Sequence, residues 1–151
     1  MAYFEWADDL VIDGGPIDQD HRLLVDLVNE LHTATSQGCG HAVIASILQR
    51  TVDSTRAHLT REEELMARKG FPDLEKHKQG HRAFLESLQG LQQRLNEGSI
   101  TVAAQLSMVL RDWLSLHIRR NDKELLKFER LRQREQQRQR RTAALSKETQ
   151  T

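Results

Sequence analysis

The stretch His58-Leu59-Thr60-Arg61-Glu62 decides how the rest of the chain is interpreted. It lies within a long run whose apolar residues recur at helical spacing, and it places a histidine and a glutamate four residues apart. Residues four apart lie about 40° apart on one face of an α-helix, so the imidazole and the carboxylate can point at the same atom. One such pair is more often structural than functional, and its meaning depends on the other segments.

Three further segments carry candidate metal ligands. They are His21, the pair His77 and His81, and the pair His117 and Asp122. With His58 and Glu62 they provide five imidazoles and two carboxylates, too many ligands for one metal ion and a suitable number for two. Nitrogen and oxygen ligands without a thiolate favour iron, manganese, cobalt or zinc.

The number of ligands predicts an asymmetric site. If both carboxylates bridge the ions together with an oxo or hydroxo group from solvent, the five imidazoles divide into three and two. One ion is then fully ligated, and the other keeps a vacant position where a small molecule can bind. Redox-active iron would make dioxygen the natural candidate.

The apolar periodicity predicts four amphipathic helices joined by short loops. Their predicted spans are Ile17 to about Gly38, His41 to Lys69, an Asp73 cap to about Gly98, and Ser99 or Thr101 through His117. Short loops make neighbouring helices antiparallel. We therefore predict an all-α protein, an antiparallel up-down-up-down four-helix bundle preceded by an extended arm over residues 1–16.

This topology predicts that the candidate ligands meet. The starts of the first and third helices lie at the same end of the bundle as the ends of the second and fourth. The candidate ligands of the first and third helices lie near the helix starts, and those of the second and fourth lie near the helix ends. All seven side chains are therefore expected in one layer, a test that unrelated core histidines would often fail.

The spacing of His117 and Asp122 does not suit an ideal α-helix. Residues five apart lie about 140° apart around the helix axis, so the two side chains would not share a face. We predict a π-bulge here, a feature that is frequent at functional sites. Unbroken α-helical hydrogen bonding through residues 117–126 would contradict this prediction.

Charge is distributed unevenly along the chain. Residues 1–126 carry 14 Lys and Arg against 19 Asp and Glu, whereas residues 127–151 carry 8 against 3. We interpret residues 1–128 as the bundle domain and residues 129–151 as a basic Arg/Gln-rich tail, helical or frayed, which cannot form its own core. No aromatic follows Phe128 to stack on bases, which disfavours nucleic acid and leaves a protein partner as the alternative to a solvated face.

Cysteine content and the N-terminal sequence predict the compartment. Cys39 is the only cysteine, so no intramolecular disulfide can form, and we expect an exposed thiol in a turn. The first ten residues lack the basic and apolar regions of a secretory signal, and no stretch approaches the roughly 18 apolar residues of a membrane span. We therefore expect a cytoplasmic protein without a membrane span.

The combined pattern resembles the hemerythrins, specifically the single-domain bacterial hemerythrins. The resemblance covers about residues 4–128, including Trp6 in the arm. It rests on I-D-Q-D-H at 17–21, H-L-T-R-E-E at 58–63, H-K-Q-G-H at 77–81 and W-L-S-L-H-I-R-R-N-D at 113–122. It implies a bundle that holds two iron ions, joined by an oxo or hydroxo bridge, and binds O2 reversibly.

The resemblance also implies a role for each residue. The saturated iron would be held by His77, His81 and His117, the open iron by His21 and His58, and both would be bridged by Glu62 and Asp122. The O2 pocket would be lined by Trp113, Leu114, Ile118 and Leu59. Two positions depart from the family: Asp20 stands where Gln is usual, and Leu59 stands where Phe is usual. We expect the smaller Leu59 to admit water and speed autoxidation.

Three functions follow as alternatives. The first is non-enzymatic O2 carriage, storage or delivery, and the second is O2 or redox sensing with a signal passed to a partner. The third is peroxide or nitric oxide chemistry at the same irons. A site with only two carboxylates is less anionic than that of carboxylate-rich di-iron oxygenases, and no separate acid–base group is evident over the open position. The sequence therefore favours O2 binding.

Overall fold

The computed structural model describes residues 2–99 and 101–148, except the side chains of Asn121 and Asp122. Its main elements are α1 (Pro16–Ser36), α2 (His41–Lys69), α3 (Leu74–Asn96), α4 (Thr101–Leu116), a π-helical segment (His117–Asp122) and α5 (Lys123–Glu148). Helix α1 packs against α2 and α4, while α3 packs against α2 and α4. The predicted four-helix bundle is confirmed.

The turn between α2 and α3 explains why α2 ends where the sequence predicts. Gly70 adopts a left-handed conformation with φ of 69°, and its backbone N–H is directed back at Ala67. The N–H of Phe71 donates to the carbonyl of Met66 at 3.0 Å, which closes the helix end. Asp73 occupies the N-cap position of α3 as predicted, but its side chain makes no capping hydrogen bond.

The N-terminal arm is fastened to α1 by side-chain-to-backbone hydrogen bonds. The arm is mainly extended, as predicted, but Asp8–Leu10 form one short 3-10 turn. The Asn29 side chain accepts from the N–H of Phe4 at 2.7 Å and donates to its carbonyl at 2.8 Å. Asp18 is buried and accepts from the backbone of Ile12 at 2.8 Å. These bonds position α1 and therefore its candidate ligand, His21.

Two apolar clusters enclose the layer where the candidate ligands lie. The larger cluster fills the bundle and includes Leu24, Leu88 and Leu114. The smaller one, Met66, Phe71 and Leu125, lies where α2 turns into α3 and where α5 begins. Cys39 packs against the larger cluster and is half-buried, so the expectation of an exposed turn thiol is wrong.

Helix α5 carries the basic tail away from the bundle. Near the start of α5, Leu125 is buried and Phe128 is half-buried against Phe71. The side chains from Arg130 to Glu148 are exposed. The tail is thus helical rather than frayed in its described part. Among the described residues, no helix has both the length and the apolar character needed to cross a bilayer.

Candidate metal centre

Five of the seven predicted ligands are buried together at one end of the bundle. Their exposed fractions are 0% for His21, 2% for His58, 3% for Glu62, 3% for His81 and 2% for His117. Burying so many titratable groups is costly unless they satisfy one another or bind a metal. The predicted convergence is therefore confirmed for these five side chains.

Four of these residues form a tight cluster. One ligand atom from each of His21, His58, Glu62 and His117 lies within 4.8 Å of the others. The Nε2 atoms of His21 and His58 are 3.1 Å apart. The Oε2 atom of Glu62 lies 3.2 Å from His58 Nε2 and 3.1 Å from His117 Nε2. His58 and His117 thus direct Nε2 at a shared carboxylate, and His21 directs its Nε2 at that of His58.

The third helix supplies a looser part of the layer. His81 Nε2 lies 3.6 Å from Oε1 of Glu62 and is buried without a hydrogen-bond partner among the described residues. The ring of His77 lies 6.3 Å from that of His81, and its Nε2 is 3.9 Å from the exposed Glu124 carboxylate. His77 therefore stands beside the cluster and not within it. The Asp122 side chain lies outside the described residues.

The π-helical segment confirms the predicted departure from α-helical winding. It spans His117–Asp122 and begins with a histidine that we predict as a ligand. Because π-helical bonding joins residues five apart, it turns positions 117 and 122 toward a common face, which an α-helix would not do. The segment then continues into α5 without a break in the helix.

Two carboxylates orient the histidines from behind. The Nδ1–H of His58 donates to Asp20 at 3.2 Å, and the Nδ1–H of His81 donates to Glu63 at 3.1 Å. Burial acts to raise the pKa of Asp20, but hydrogen bonds from Arg61 and His58 outweigh it and lower that pKa, so the carboxylate is ionised and can only accept. A donating Nδ1–H leaves Nε2 facing the cluster, as ligand histidines do in metalloproteins.

The protonation of the histidines suits metal binding. Burial, reinforced by the charges of His58 and His117, lowers the pKa of His21 to about 3, so its imidazole is neutral and offers a lone pair. Burial also lowers the pKa of His81. For His58 burial acts in the same direction, but the carboxylates of Glu62 and Asp20 outweigh it and raise the pKa. A metal ion bound at Nε2 of His58 would replace a proton there.

These features fit a metal centre that uses nitrogen and oxygen ligands. The donors are imidazoles and a carboxylate, no cysteine lies among them, and the buried Nε2 of His81 has no other described partner. Bound iron would supply reversible electron transfer to a small ligand. The protein supplies the ligand atoms, the carboxylates behind them and the apolar walls.

A small cavity lies inside the bundle next to the ligand layer. It has a volume of about 10 Å³, which is at the lower limit for a single water molecule. Its lining residues are Leu24, Val28, Thr51, Thr55, Leu110, Trp113 and Leu114. Trp113 and Leu114 belong to the predicted pocket, whereas Leu59 and Ile118 are buried elsewhere in the core, 2% and 0% exposed.

The sequence reasoning missed most of the cavity walls, although a signal for them exists. Leu24 follows His21 by one helical turn, and Thr55 precedes His58 by one turn. Residues three or four positions from a ligand share its face, so the ligand stripes also define the walls. The hydroxyls of Thr51 and Thr55 donate to the carbonyls of Ile47 and Thr51 at 2.8 and 2.7 Å, so they present methyl groups rather than free donors.

Two surface clefts reach the centre from opposite sides. One, of about 460 Å³ between α1 and α2, is lined by Asp20 and Arg61 and reaches His58. The other, of about 300 Å³, is lined by His77 and Trp113. The Trp113 ring stacks on His117 with centroids 4.6 Å apart and on Phe84 at 3.8 Å, and it also lines the inner cavity. Trp113 therefore separates the inner cavity from the second cleft.

Known proteins share this arrangement. The model of the hemerythrin HHE cation binding domain matches residues 16–128. Bacteriohemerythrins of Stenotrophomonas maltophilia and Pseudomonas aeruginosa are 34% and 36% identical over 122 residues, which cover 81% of this chain and 78% of each relative. The bacteriohemerythrin of Methylococcus capsulatus is 31% identical over 124 residues, covering 82% and 94%. A crystal structure of wild-type hemerythrin has a TM-score of 0.73 at 28% identity, covering 81% and 94%.

Fold and site together define a helical-bundle metalloprotein with a buried histidine–carboxylate centre. The chain belongs to the hemerythrin family. Hemerythrins are O2-binding proteins with a di-iron centre, so the iron cofactor and the O2 ligand expected from the sequence are confirmed. The same relationship does not favour the sensing alternative.

Proposed function

We propose that this protein carries, stores or delivers O2 by reversible binding at its di-iron centre and that it is not an enzyme. The observation that carries the proposal is the buried cluster of His21, His58, Glu62 and His117, whose ligand atoms lie within 4.8 Å of one another. A cavity of about 10 Å³, one helical turn from these ligands, is walled mainly by apolar groups. Such a site binds a diatomic gas and excludes larger substrates.

We assign the ligands to two ions on either side of Glu62. His21 and His58 would hold the open iron, whereas the saturated iron would be held by His77, His81 and His117. Glu62 would bridge both, because its Oε2 lies beside one histidine assigned to each ion, His58 and His117, and its Oε1 faces His81. We propose Asp122 as the second bridge, because π-helical winding joins positions five apart and the π-helical segment ends at this residue.

The cavity walls support binding in preference to turnover. General acid–base catalysis needs a titratable group within hydrogen-bond reach of the reacting atoms. Among the described residues lining the cavity, the only polar side chains besides the Trp113 indole are Thr51 and Thr55, whose hydroxyls already donate to backbone carbonyls. No described wall residue can therefore deliver a proton to bound O2.

Reconstitution tests the proposal directly. Iron-free protein is loaded with ferrous iron under argon, exposed to air and then evacuated, while its visible spectrum is recorded. We expect a charge-transfer band that forms in air, disappears under vacuum and returns over several cycles. Zinc-loaded protein is the matched control and should show no band. Irreversible bleaching, or turnover of peroxide well above that by free iron, would contradict the proposal.

We further propose that residues 1–128 form the O2-binding domain and that residues 129–151 serve to contact a protein partner. A groove of about 480 Å³ where the tail leaves the bundle is lined by Val11, Lys123, Leu126 and Lys127 of the domain and by Arg130, Leu131 and Arg134 of the tail. Four cations around three apolar residues, with no carboxylate, complement an acidic amphipathic helix better than a nucleic-acid backbone, which would not use the apolar floor.

A charge-matched pair of variants tests this surface. Full-length protein is titrated with a synthetic amphipathic peptide that alternates Leu and Glu at helical spacing. Arg130→Gln with Arg134→Gln should weaken binding, whereas Arg140→Gln with Lys147→Gln, on another face of α5, should not. Equal losses in both pairs, or tighter binding of a 20-base-pair DNA duplex that Leu131→Ser leaves unchanged, would refute a protein-docking role.

A cytoplasmic location remains a prediction, consistent with the single cysteine and with the absence of a membrane-spanning helix among the described residues. Fractionation of cells followed by immunodetection of the untagged protein would test it.

A further inference from the structure

One side of the metal centre carries a three-residue chain of charges. Arg61 donates to both carboxylate oxygens of Asp20, from Nη2 at 2.7 Å and from Nε at 3.0 Å. The same carboxylate accepts the Nδ1–H of His58 at 3.2 Å. The chain runs from the surface inward, because the side chains of Arg61, Asp20 and His58 are 55%, 22% and 2% exposed.

On the opposite side of the centre, the part of the chain that the structure describes has no equivalent of Arg61. Glu63 accepts the Nδ1–H of His81 at 3.1 Å, and among the described residues no arginine or lysine lies within ion-pair distance of it. The two carboxylates behind the histidines therefore differ in charge. Asp20 shares its charge with a guanidinium, whereas Glu63 offers its charge to one histidine.

We propose that Asp20 and Arg61 act as positioning residues that set the reduction potential, and hence the autoxidation rate, of the iron held by His58. The proposal rests on the function proposed above. A carboxylate that accepts from Nδ1 makes the imidazole more basic at Nε2 and stabilises the ferric ion. Arg61 withdraws part of that charge, because a bidentate guanidinium–carboxylate pair is the strongest of the ordinary ionic hydrogen bonds.

The two residues are therefore expected to act in opposite directions. In autoxidation O2 takes up two electrons, one from each ferrous ion, and two protons from solvent, and leaves as hydrogen peroxide. Stabilising the ferric ion favours this electron transfer and therefore speeds autoxidation. Asp20→Asn keeps an oxygen for the Nδ1–H but removes the charge, so it should raise the potential and slow autoxidation. Arg61→Gln leaves Asp20 with its full charge, so it should lower the potential and speed autoxidation.

The experiment measures midpoint potential by anaerobic spectroelectrochemistry and autoxidation rate in air. We expect changes of about tenfold in each direction, or about 59 mV for a one-electron couple. Arg61→Lys restores the positive charge, so its potential and autoxidation rate should return most of the way to those of the unaltered protein. In the double variant the Arg61→Gln effect should largely disappear, because the charge through which it acts is gone. Arg50→Gln is the control, since Arg50 makes the same bidentate pair with Glu30 on the exposed surface.

A structural role for the pair gives a different result. If the two residues merely hold α1 against α2, then Asp20→Asn and Arg61→Gln shift the potential in the same direction, and Arg61→Lys does not rescue it. Either result overturns the proposal. Zn²⁺ affinity of the iron-free protein gives a readout that does not depend on O2: Asp20→Asn should weaken it about tenfold and Arg61→Gln should not weaken it. Failure of reversible O2 binding in the unaltered protein would instead refute the proposed function.

Discussion

The two halves of the metal centre differ in how closely their ligand atoms lie. In the half formed by α1 and α2, the Nε2 atoms of His21 and His58 are 3.1 Å apart and both adjoin Glu62. In the half formed by α3, His81 is 3.6 Å from Glu62 and His77 faces Glu124. The first half is preorganised and the second must adjust, and preorganised ligands bind more tightly because less ordering opposes binding.

The largest expected effect comes from the residue that joins the halves. Glu62 places one oxygen near each half. Glu62→Ala should therefore lower the affinity for both ions by more than about 100-fold, a larger loss than is typical when a group that only orients ligands is removed. Iron per chain after gel filtration, measured by plasma emission, checks this. Two tightly bound irons in the variant would show that Glu62 is not a bridge.

Single histidine substitutions should separate the halves. Titration of the iron-free protein with Zn²⁺ should show a tighter and a weaker step. His58→Ala should remove the tighter step together with the O2 band, and His81→Ala should remove the weaker step. Isothermal titration calorimetry resolves the tighter and the weaker binding step in each variant. If His81→Ala removes the tighter step instead, the preorganised half has been assigned wrongly.

The acid stability of the iron-free protein should depend on His21. Its pKa falls from the ordinary 6.5 to about 3 in the folded state because of burial and of the charges of His58 and His117. The unfolded chain therefore binds more protons between these values, so stability rises with pH there and is lost as pH falls from 6.5 toward 3. In thermal melts recorded across this pH range, His21→Asn should make the melting temperature depend less on pH. An unchanged slope would contradict the shifted pKa.

Leu59→Phe should have a moderate effect on the α1–α2 half. Leu59 follows His58 and is 2% exposed, so a larger ring must displace neighbouring core side chains. We expect water to be excluded better and autoxidation to slow several-fold, at some cost in packing strain. Stopped-flow oxygenation followed by hours of spectral recording gives the rate. The same rate as in the unaltered protein would show that Leu59 does not control water entry.

The smallest effect concerns His77. Its Nε2 lies 3.9 Å from the carboxylate of Glu124, which is 62% exposed, and such exposed pairs contribute between about 0 and 1 kcal/mol. Glu124→Gln should release His77 and strengthen the weaker Zn²⁺ step by no more than about fivefold. The isosteric Glu129→Gln, further along α5, is the control. If Glu124→Gln instead lowers the Zn²⁺ affinity of the weaker step, Glu124 itself assists binding.

The fold and the inner ligands were predictable because they depend on periodicity within single helices. The stripe through His58 and Glu62, the span of α2 and the π-helical winding after Leu116 all follow from spacing along the chain. Asp20 and Glu63 were not predicted as partners of His58 and His81. Each is adjacent in sequence to one ligand and contacts another on a different helix, which depends on how the helices are rotated against each other. Local spacing does not encode that rotation.

The stack of Phe84, Trp113 and His117 gives the molecule an intrinsic optical probe. Trp113 lies face to face with the imidazole of His117, 4.6 Å between centroids and 11° between ring planes. Bound iron that absorbs at the wavelength of indole emission quenches that emission by energy transfer. Iron loading should therefore reduce the fluorescence of this residue. The chain has one other tryptophan, Trp6 in the arm, and Trp6→Phe would leave a single emitter. Occupancy could then be followed in real time without an added dye.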